Sequence, residues 1–364
     1  MPSAPAKNNC PIGVFDSGVG GLSVLRQLLQ QLPEEDIVYL ADSAWAPYGE
    51  RTPEQIAARC LQIADYLLRQ HHIKALVVAC NTATSQAVQH LRSRWPQLLL
   101  IGIEPAIKPA VALSQTGHVG IMATRGTVQS AKFARLLQDW GGSSHIHVQA
   151  CDGLALAIEN ALEDRANPDG QTVHSLCQRY VAALRDAANQ AAGEEQAAGA
   201  KELSGNALGA IDVLVLGCTH YPFAEEVLQG MVGEQVRLIE PGAPVARQTQ
   251  RLLQQHGLLH AQRQEAQQEA QSAQEPSGGD QAGSGWASND RGNDQVLGVE
   301  DVCAPLLTPQ GAQPAHGQRQ PLANKRKCPG GRLTLLATSA PQRLQSAAHR
   351  WLGLDAAVTE VHID

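Results

Sequence analysis

The chain has 364 residues, 43% of them hydrophobic, enough for a sizeable core and for two domains rather than one. Its net charge of −7 is spread along the chain and leaves no basic face for nucleic acid, and no run approaches the ~18 apolar residues of a membrane span. Residues 1–9 carry no apolar run, so they read as a flexible N-terminus without a secretory signal, and the expected location is cytoplasmic. There the eight cysteines (Cys10, Cys60, Cys80, Cys151, Cys177, Cys218, Cys303 and Cys328) should stay thiols. The lack of any Cys-x-x-Cys pair argues against zinc and dithiol chemistry.

In chain order, Pro11 to Phe15 is a short apolar run that ends in the turn Asp16-Ser17-Gly18-Val19-Gly20-Gly21. Leu22, Leu25, Leu28, Leu29 and Leu32 follow with helical spacing. Asp36 to Leu40 is a second strand. Beyond the Pro47-Tyr48-Gly49 loop, Thr52-Pro53-Glu54-Gln55 has the form of a capping box with proline at the first helical position. The helix after it puts Ile56, Cys60, Ile63, Ala64, Leu67 and Leu68 on one stripe. Leu76 to Ala79 is a buried strand ending at Cys80. This alternation predicts a parallel sheet with right-handed crossovers.

A second α/β series starts near His118. Val119 to Ala123, His145 to Ala150 and Ile211 to Leu216 are its strands, the last ending at Gly217-Cys218. Residues 186–210, rich in Ala, Gly, Glu and Gln, read as a helix end and a variable loop. Residues 261–295 contain eight glutamines and one large hydrophobe, Trp286, too little apolar surface to offset the entropy of ordering. A strand over 332–338, an amphipathic helix over 341–352 and a short strand over 358–363 close the chain.

The sharpest feature is an internal echo: Val77-Val-Ala-Cys-Asn-Thr82 against Val215-Leu-Gly-Cys-Thr-His220. In a parallel sheet, ligands bind beyond the carboxyl ends of the strands, where both cysteines would lie. A lone cysteine at such a place is more often an inert buried thiol; the matched pair is what points to chemistry. If the halves face one another, the thiols meet across a cleft. Inverting a stereocentre by proton transfer needs a base on one face and an acid on the other. A thiolate and a thiol with a free pKa of about 8.5 suit mirror-image substrates and products. The carbanion needs stabilisation, which amides and hydroxyls around the α-carboxylate would provide. His220 is placed to assist one thiol and Asp16 the other. The glycine-rich turn offers amides for a carboxylate. It fits neither the dinucleotide pattern nor the P-loop, and a plain tight turn explains it as well.

These residues resemble a known family. Ile12-Gly-Val-Phe-Asp-Ser-Gly-Val-Gly-Gly-Leu-Ser23, Pro47-Tyr-Gly49, Val78-Ala-Cys-Asn-Thr-Ala-Thr84, Ala123-Thr-Arg-Gly-Thr127 and Val215-Leu-Gly-Cys-Thr-His-Tyr-Pro222 are similar, in order, to blocks of bacterial glutamate racemases. The resemblance implies an α/β protein of two pseudo-symmetric, doubly wound domains with mainly parallel sheets, the active site in the cleft between them. The first domain would be split, over 10–108 with about 240–256 and 331–364; the second would span 109–239. Residues 257–330 would be a low-complexity, disordered insertion without a family counterpart.

The resemblance further implies interconversion of L- and D-glutamate without a cofactor or metal, feeding peptidoglycan synthesis. Carried onto matching positions, Cys80 and Cys218 are the catalytic acid/bases, and Asp16 and His220 tune them. Glu159 matches a helical acid near the second thiol, although its surrounding block is diverged. Asp16, Ser17, Tyr48, Gly49, Asn81, Thr82, Thr124, Thr127, Thr219 and His220 are the expected substrate contacts. The connection Glu104-Pro-Ala-Ile-Lys-Pro-Ala110 is similar to that of a subgroup activated by UDP-N-acetylmuramoyl-L-alanine, and many relatives are homodimers. Ser43-Ala-Trp-Ala46 departs from the family's usual run before Pro-Tyr-Gly.

Three alternatives stand beside this one. An aspartate or hydantoin racemase of the same superfamily would use the same thiols. A Cys–His hydrolase or acyltransferase could use Cys218 with His220 but leaves Cys80-Asn-Thr unexplained. A non-catalytic binding protein on the same scaffold is the third; some glutamate racemases are reported to inhibit DNA gyrase.

Overall fold

The structure is a computed structural model that describes residues 7–142, 144–161, 167, 169–197, 208–260 and 330–363. Its first half alternates β1 (Ile12–Asp16), α1 (Leu22–Gln31), β2 (Ile37–Ala41), α2 (Pro53–His71), β3 (Ala75–Val78), α3 (Asn81–Arg94), β4 (Leu99–Gly102) and α4 (Ile107–Leu113). The second series is β5 (His118–Ala123), α5 (Arg125–Val128), α6 (Ala131–Trp140), β6 (His145–Ala150), α7 (Leu154–Ala161), α8 (Val173–Ala197), β7 (Val213–Gly217), α9 (Glu225–Val232) and β8 (Arg237–Ile239). Then come α10 (Gly242–Gln255), β9 (Leu333–Ala337), α11 (Pro341–Ala347), running into a π-helical turn over Ala348–Leu352, and β10 (Val358–Glu360).

Two parallel sheets result, one ordered β10-β9-β2-β1-β3-β4 and the other β6-β5-β7-β8. The run β2-β1-β3-β4 in the first has the same order as β6-β5-β7-β8 in the second. Cys80 follows β3 and Cys218 follows β7, so the two thiols leave equivalent strands of two related sheets.

The central strands of each sheet are buried on both faces, which is why they read as apolar runs. Val14, Tyr39 and Val77 enter one core with α1, α10 and α11, while their neighbours Phe15, Leu40 and Val78 enter the other with α2 and α3, as a period of two requires. In the second sheet Leu214 and Leu216 face α8, and Val213 and Val215 face α4 and α6. At the start of α2 the capping box forms in both directions: Gln55 N donates to Thr52 Oγ1 at 3.3 Å and Thr52 N donates to Gln55 Oε1 at 3.1 Å.

Several boundaries differ from expectation. The helix α8 runs on to Ala197, because Leu184 and Ala188 keep its apolar stripe against the second core; 198–207 lie outside the described residues. The insertion was expected from residue 257, yet Leu259 is buried in the first core and His260 N donates to Glu35 Oε1 at 2.8 Å. Leu258 and Leu259, with the His260 bond, thus carry the packed chain as far as His260; 261–329 lie outside the described residues. The closing strand stops at Glu360. No described helix is long and apolar enough to cross a membrane.

Candidate active site

A cavity of about 340 Å³ opens where the carboxyl ends of the two sheets meet. Cys80 and Cys218 both line it, each only 5% exposed, so a reactant reaches the sulfurs through this space. Of the expected contacts, Ser17, Tyr48, Gly49, Asn81, Thr82, Thr124, Thr219 and His220 line it too, as does Glu159, the expected helical acid. Asp16 and Thr127 do not. Asp16 is fully buried behind the wall, and Thr127 is 1% exposed, its hydroxyl 3.0 Å from that of Thr124.

Cys80 caps α3. Its sulfur accepts from Ala83 N at 3.4 Å, and its thiol donates to Ser17 Oγ at 3.6 Å. Burial, then the charge of Asp16, pushes the thiol's pKa well up; the Ala83 amide and the Ser17 hydroxyl pull it part of the way back. On the other side Cys218 Sγ lies 3.7 Å from His220 Nδ1, and His220 Nε2 lies 2.8 Å from Glu159 Oε1. Burial opposes a charged imidazole, but the Cys218 sulfur and the Glu159 carboxylate outweigh it and hold the His220 pKa well above its ordinary value. Burial likewise opposes ionised Glu159, and is outweighed by His220, the Val19 amide and Arg343, which hold the carboxyl below its ordinary value.

The glycine-rich turn acts differently from expectation. Its amides do bind carboxylates, but the protein's own: Gly18 N and Gly21 N donate to Asp16 Oδ2 at 3.1 and 3.0 Å, and Val19 N donates to Glu159 Oε1 at 3.3 Å. Burial still raises the Asp16 pKa, against the pull of His220 and those two amides. Thr219 Oγ1 donates to Asp16 Oδ1 at 3.5 Å. Asp16 therefore ties the turn to the Thr219 loop rather than facing a reactant.

Tyr48 also differs in detail. Its hydroxyl donates to Asp42 Oδ2 at 2.7 Å, away from the cavity, so ring and backbone are what it presents.

Residues that the sequence did not single out also line the cavity: Ser43, Cys151, Arg125, Asp152 and Arg343. Cys151 is a third thiol there, but it donates to Gln149 O at 3.4 Å, and burial pushes its pKa well up. Arg125 and Asp152 pair with each other, both about half exposed. The Ser43 hydroxyl and both ends of the Asn81 amide are buried without a hydrogen-bond partner among the described residues. Unpaired buried polar atoms are costly, and Ser43 and Asn81 both belong to residues that line the cavity. Ser43 had a faint signal, since its segment is the one that departs from the usual pattern; Arg343 had none.

The sequence profile of the Asp/Glu/hydantoin racemase family matches residues 12–249, and the chain belongs to that family. Its relatives within the family include glutamate racemases. That of Pseudomonas syringae pv. tomato is 46% identical over 259 residues, 71% of this chain and 84% of the relative. That of Ectopseudomonas mendocina is 46% identical over 257 residues, covering 70% and 87%. Among solved structures, glutamate racemase isoform RacE1 of Bacillus anthracis superposes with a TM-score of 0.65 at 25% identity over 98% of both chains. The Escherichia coli glutamate racemase, in complex with L-glutamate and the activator UDP-MurNAc-ala, gives 0.54 at 31% identity over 67% of this chain and 83% of that one.

Proposed function

We propose that this chain interconverts L- and D-glutamate by proton transfer between Cys80 and Cys218. The observation that carries the reading is that both thiols end equivalent strands of two sheets and line one small cavity. An α-carbon held between them would have a base on one face and an acid on the other. In one direction the Cys218 thiolate takes the α-proton, with the charged His220 ring beside the sulfur, and the Cys80 thiol donates to the opposite face. In the other direction the roles exchange, and the Ala83 amide and Ser17 hydroxyl support the Cys80 thiolate.

The first amides of α3, at Asn81 and Thr82, have no partner within their own helix and suit the α-carboxylate, whose binding stabilises the carbanion. Asn81 and Ser43 line the same cavity with unpartnered polar atoms and are assigned the remaining polar groups of the amino acid. Asp16 and His220 act through the thiols, and Glu159 through His220. The chemistry asks for no cofactor. D-glutamate made this way would supply peptidoglycan precursors in the cytoplasm, and a cell-wall precursor of the kind named for the Escherichia coli relative is the activator to try first. A homodimer is the assembly to expect.

The test is incubation with L-glutamate in D₂O without added cofactor, following optical activity and α-deuterium. Loss of optical activity with α-exchange is expected, and Cys80→Ser and Cys218→Ser should each lose at least the ~10²-fold that a general acid–base contributes. Racemisation at the wild-type rate by either variant overturns the two-thiol assignment. L-aspartate in parallel separates an aspartate racemase, and release of a hydrolysed product would favour the Cys218–His220 hydrolase instead.

A further inference from the structure

Glu159 belongs to α7, which packs in the second core, yet two of its partners come from the first half of the fold. Oε1 accepts from His220 Nε2 and from Val19 N in the glycine turn. Oε2 faces Arg343 Nη1 at 3.4 Å, on α11, whose Leu344 and Ala347 are buried in the core of the first sheet. The Arg343 and Glu159 side chains are 16% and 7% exposed, and both line the cavity.

We propose that Arg343 is a positioning residue for proton transfer at Cys218: its guanidinium holds Glu159 in place and ionised against His220, so that the far end of the chain completes a relay otherwise built in the second half of the fold. The proposal rests on the racemase reading of the cavity. Its physical basis is the arrangement of charges. The titratable and charged groups facing Glu159 are His220, Arg343 and, further off, Asp16 and Tyr39, with Cys218 beyond His220. Asp16 is acidic and repels Glu159, so Arg343 is the cation that offsets this on the Oε2 side.

Without Arg343, Oε2 is a nearly buried carboxylate oxygen with a like charge nearby. Glu159 would then turn away or take a proton, and His220 would lose the anion that keeps it charged beside the Cys218 sulfur. Cys80 is served by separate groups, Ser17 and the Ala83 amide, and Glu159 reaches it only by way of Asp16, so the effect falls first on Cys218. Val19 and Arg343 both reach Glu159 from elements packed on the six-stranded sheet, so the full environment of Glu159 exists only while the two sheets are closed on one another. Closure and proton readiness at Cys218 are thereby linked.

Arg343→Gln tests this through a one-sided effect. At equilibrium L- and D-glutamate are equal, so kcat/KM falls equally in both directions in any variant; a loss on the order of 10-fold is expected, less than a general acid–base itself contributes. The primary isotope effects must diverge. With α-deuterated substrate, the effect on kcat/KM should rise for the enantiomer whose α-proton faces Cys218 and fall for the other, because transfer at Cys218 becomes limiting. Glu159→Gln should split the two effects in the same sense. The acid limb of the kcat/KM profile should move to higher pH, as Glu159 protonates more readily. Arg343→Lys should recover part of the rate, with a single cooperative thermal transition showing that both variants fold. Isotope effects that change equally for both enantiomers, a rise in KM with kcat intact as for a direct substrate contact, or an unmoved acid limb would each overturn the assignment. Absence of glutamate α-exchange in the wild-type chain would instead overturn the racemase reading itself.

Discussion

A Cβ built on Gly20 would lie 2.3 Å from His220 Nδ1, and one on Gly18 would lie 2.1 Å from Glu159 Oε1. Neither glycine has a positive φ, so backbone freedom is not what these positions need. They need the absence of a side chain, because His220 and Glu159 pack directly on the turn. The Glu159–His220 pair in turn makes stability depend on pH. Glu159 has its folded pKa below the unfolded value of about 4.3, so its share of stability is present above about pH 4.3 and is lost as pH falls through the folded value. His220 has its folded pKa well above the unfolded value of about 6.5, so its share is full below about pH 6.5 and is lost as pH rises through the folded value. The stability gap between wild type and Glu159→Gln is therefore expected to be widest between about pH 4.3 and 6.5 and to narrow outside that window. Urea unfolding of both proteins across pH measures it; a gap independent of pH would show that the two residues are not a charged pair.

At the scale of elements, Asp42 joins pieces that the chain keeps far apart. It lies just past β2 and accepts from Arg59 on α2 at 2.9 and 2.8 Å, from Tyr48 at 2.7 Å, and from Thr338 beyond β9 at 2.9 Å. Arg59 Nη1 also donates to Ile363 O at 2.7 Å, and the guanidinium lies 5.2 Å from the centre of the Trp45 ring. One buried ion pair thus ties the Pro47-Tyr48-Gly49 wall of the cavity to α2 and to the end of the chain. Arg59→Met leaves a buried carboxylate without its cation, for which a loss of about 3–5 kcal/mol is typical. Replacing both partners, Asp42→Leu with Arg59→Met, should cost less than the single change, since no buried charge remains. Chemical denaturation of the three proteins decides; a single variant as stable as wild type would show that the pair carries no such burden.

At the scale of the whole molecule, the two halves are stitched around the cavity. Ser23 Oγ donates to Thr219 O at 2.9 Å, the hydroxyls of Thr82 and Thr124 are 3.0 Å apart, and Gln86 Nε2 donates to Gly126 O at 3.3 Å. These bonds, with those of Glu159, cross between the sheets. A ligand in the cavity touches both halves and should stabilise them together. Glutamate at about 100 times its Kd should add about 2.7 kcal/mol to apparent stability and raise a single unfolding transition. Calorimetry with and without glutamate tests it; two transitions of which only one moved would show that the ligand holds one half alone.

The sequence by itself determined what is local. Apolar runs name the central strands, because the middle of a parallel sheet is buried on both faces. The 3.6-residue stripes name α1 and α2, and Thr52-Pro53-Glu54-Gln55 names the start of α2, since a cap is satisfied within one turn. The echo around Cys80 and Cys218 was legible because the two sheets repeat one strand order. The tertiary structure alone decided what depends on contacts across the chain. Glu159 meets Val19 over 140 positions and Arg343 over 184, and no pattern in either segment records the other. It decided too that Asp16 and Thr127 stand behind the wall, that the turn's amides hold Asp16 and Glu159, and that Tyr48 turns its hydroxyl to Asp42. A residue's type says what it can bond. Which partner it finds among many is settled by how two sheets close on one another, and a sequence pattern does not carry that geometry.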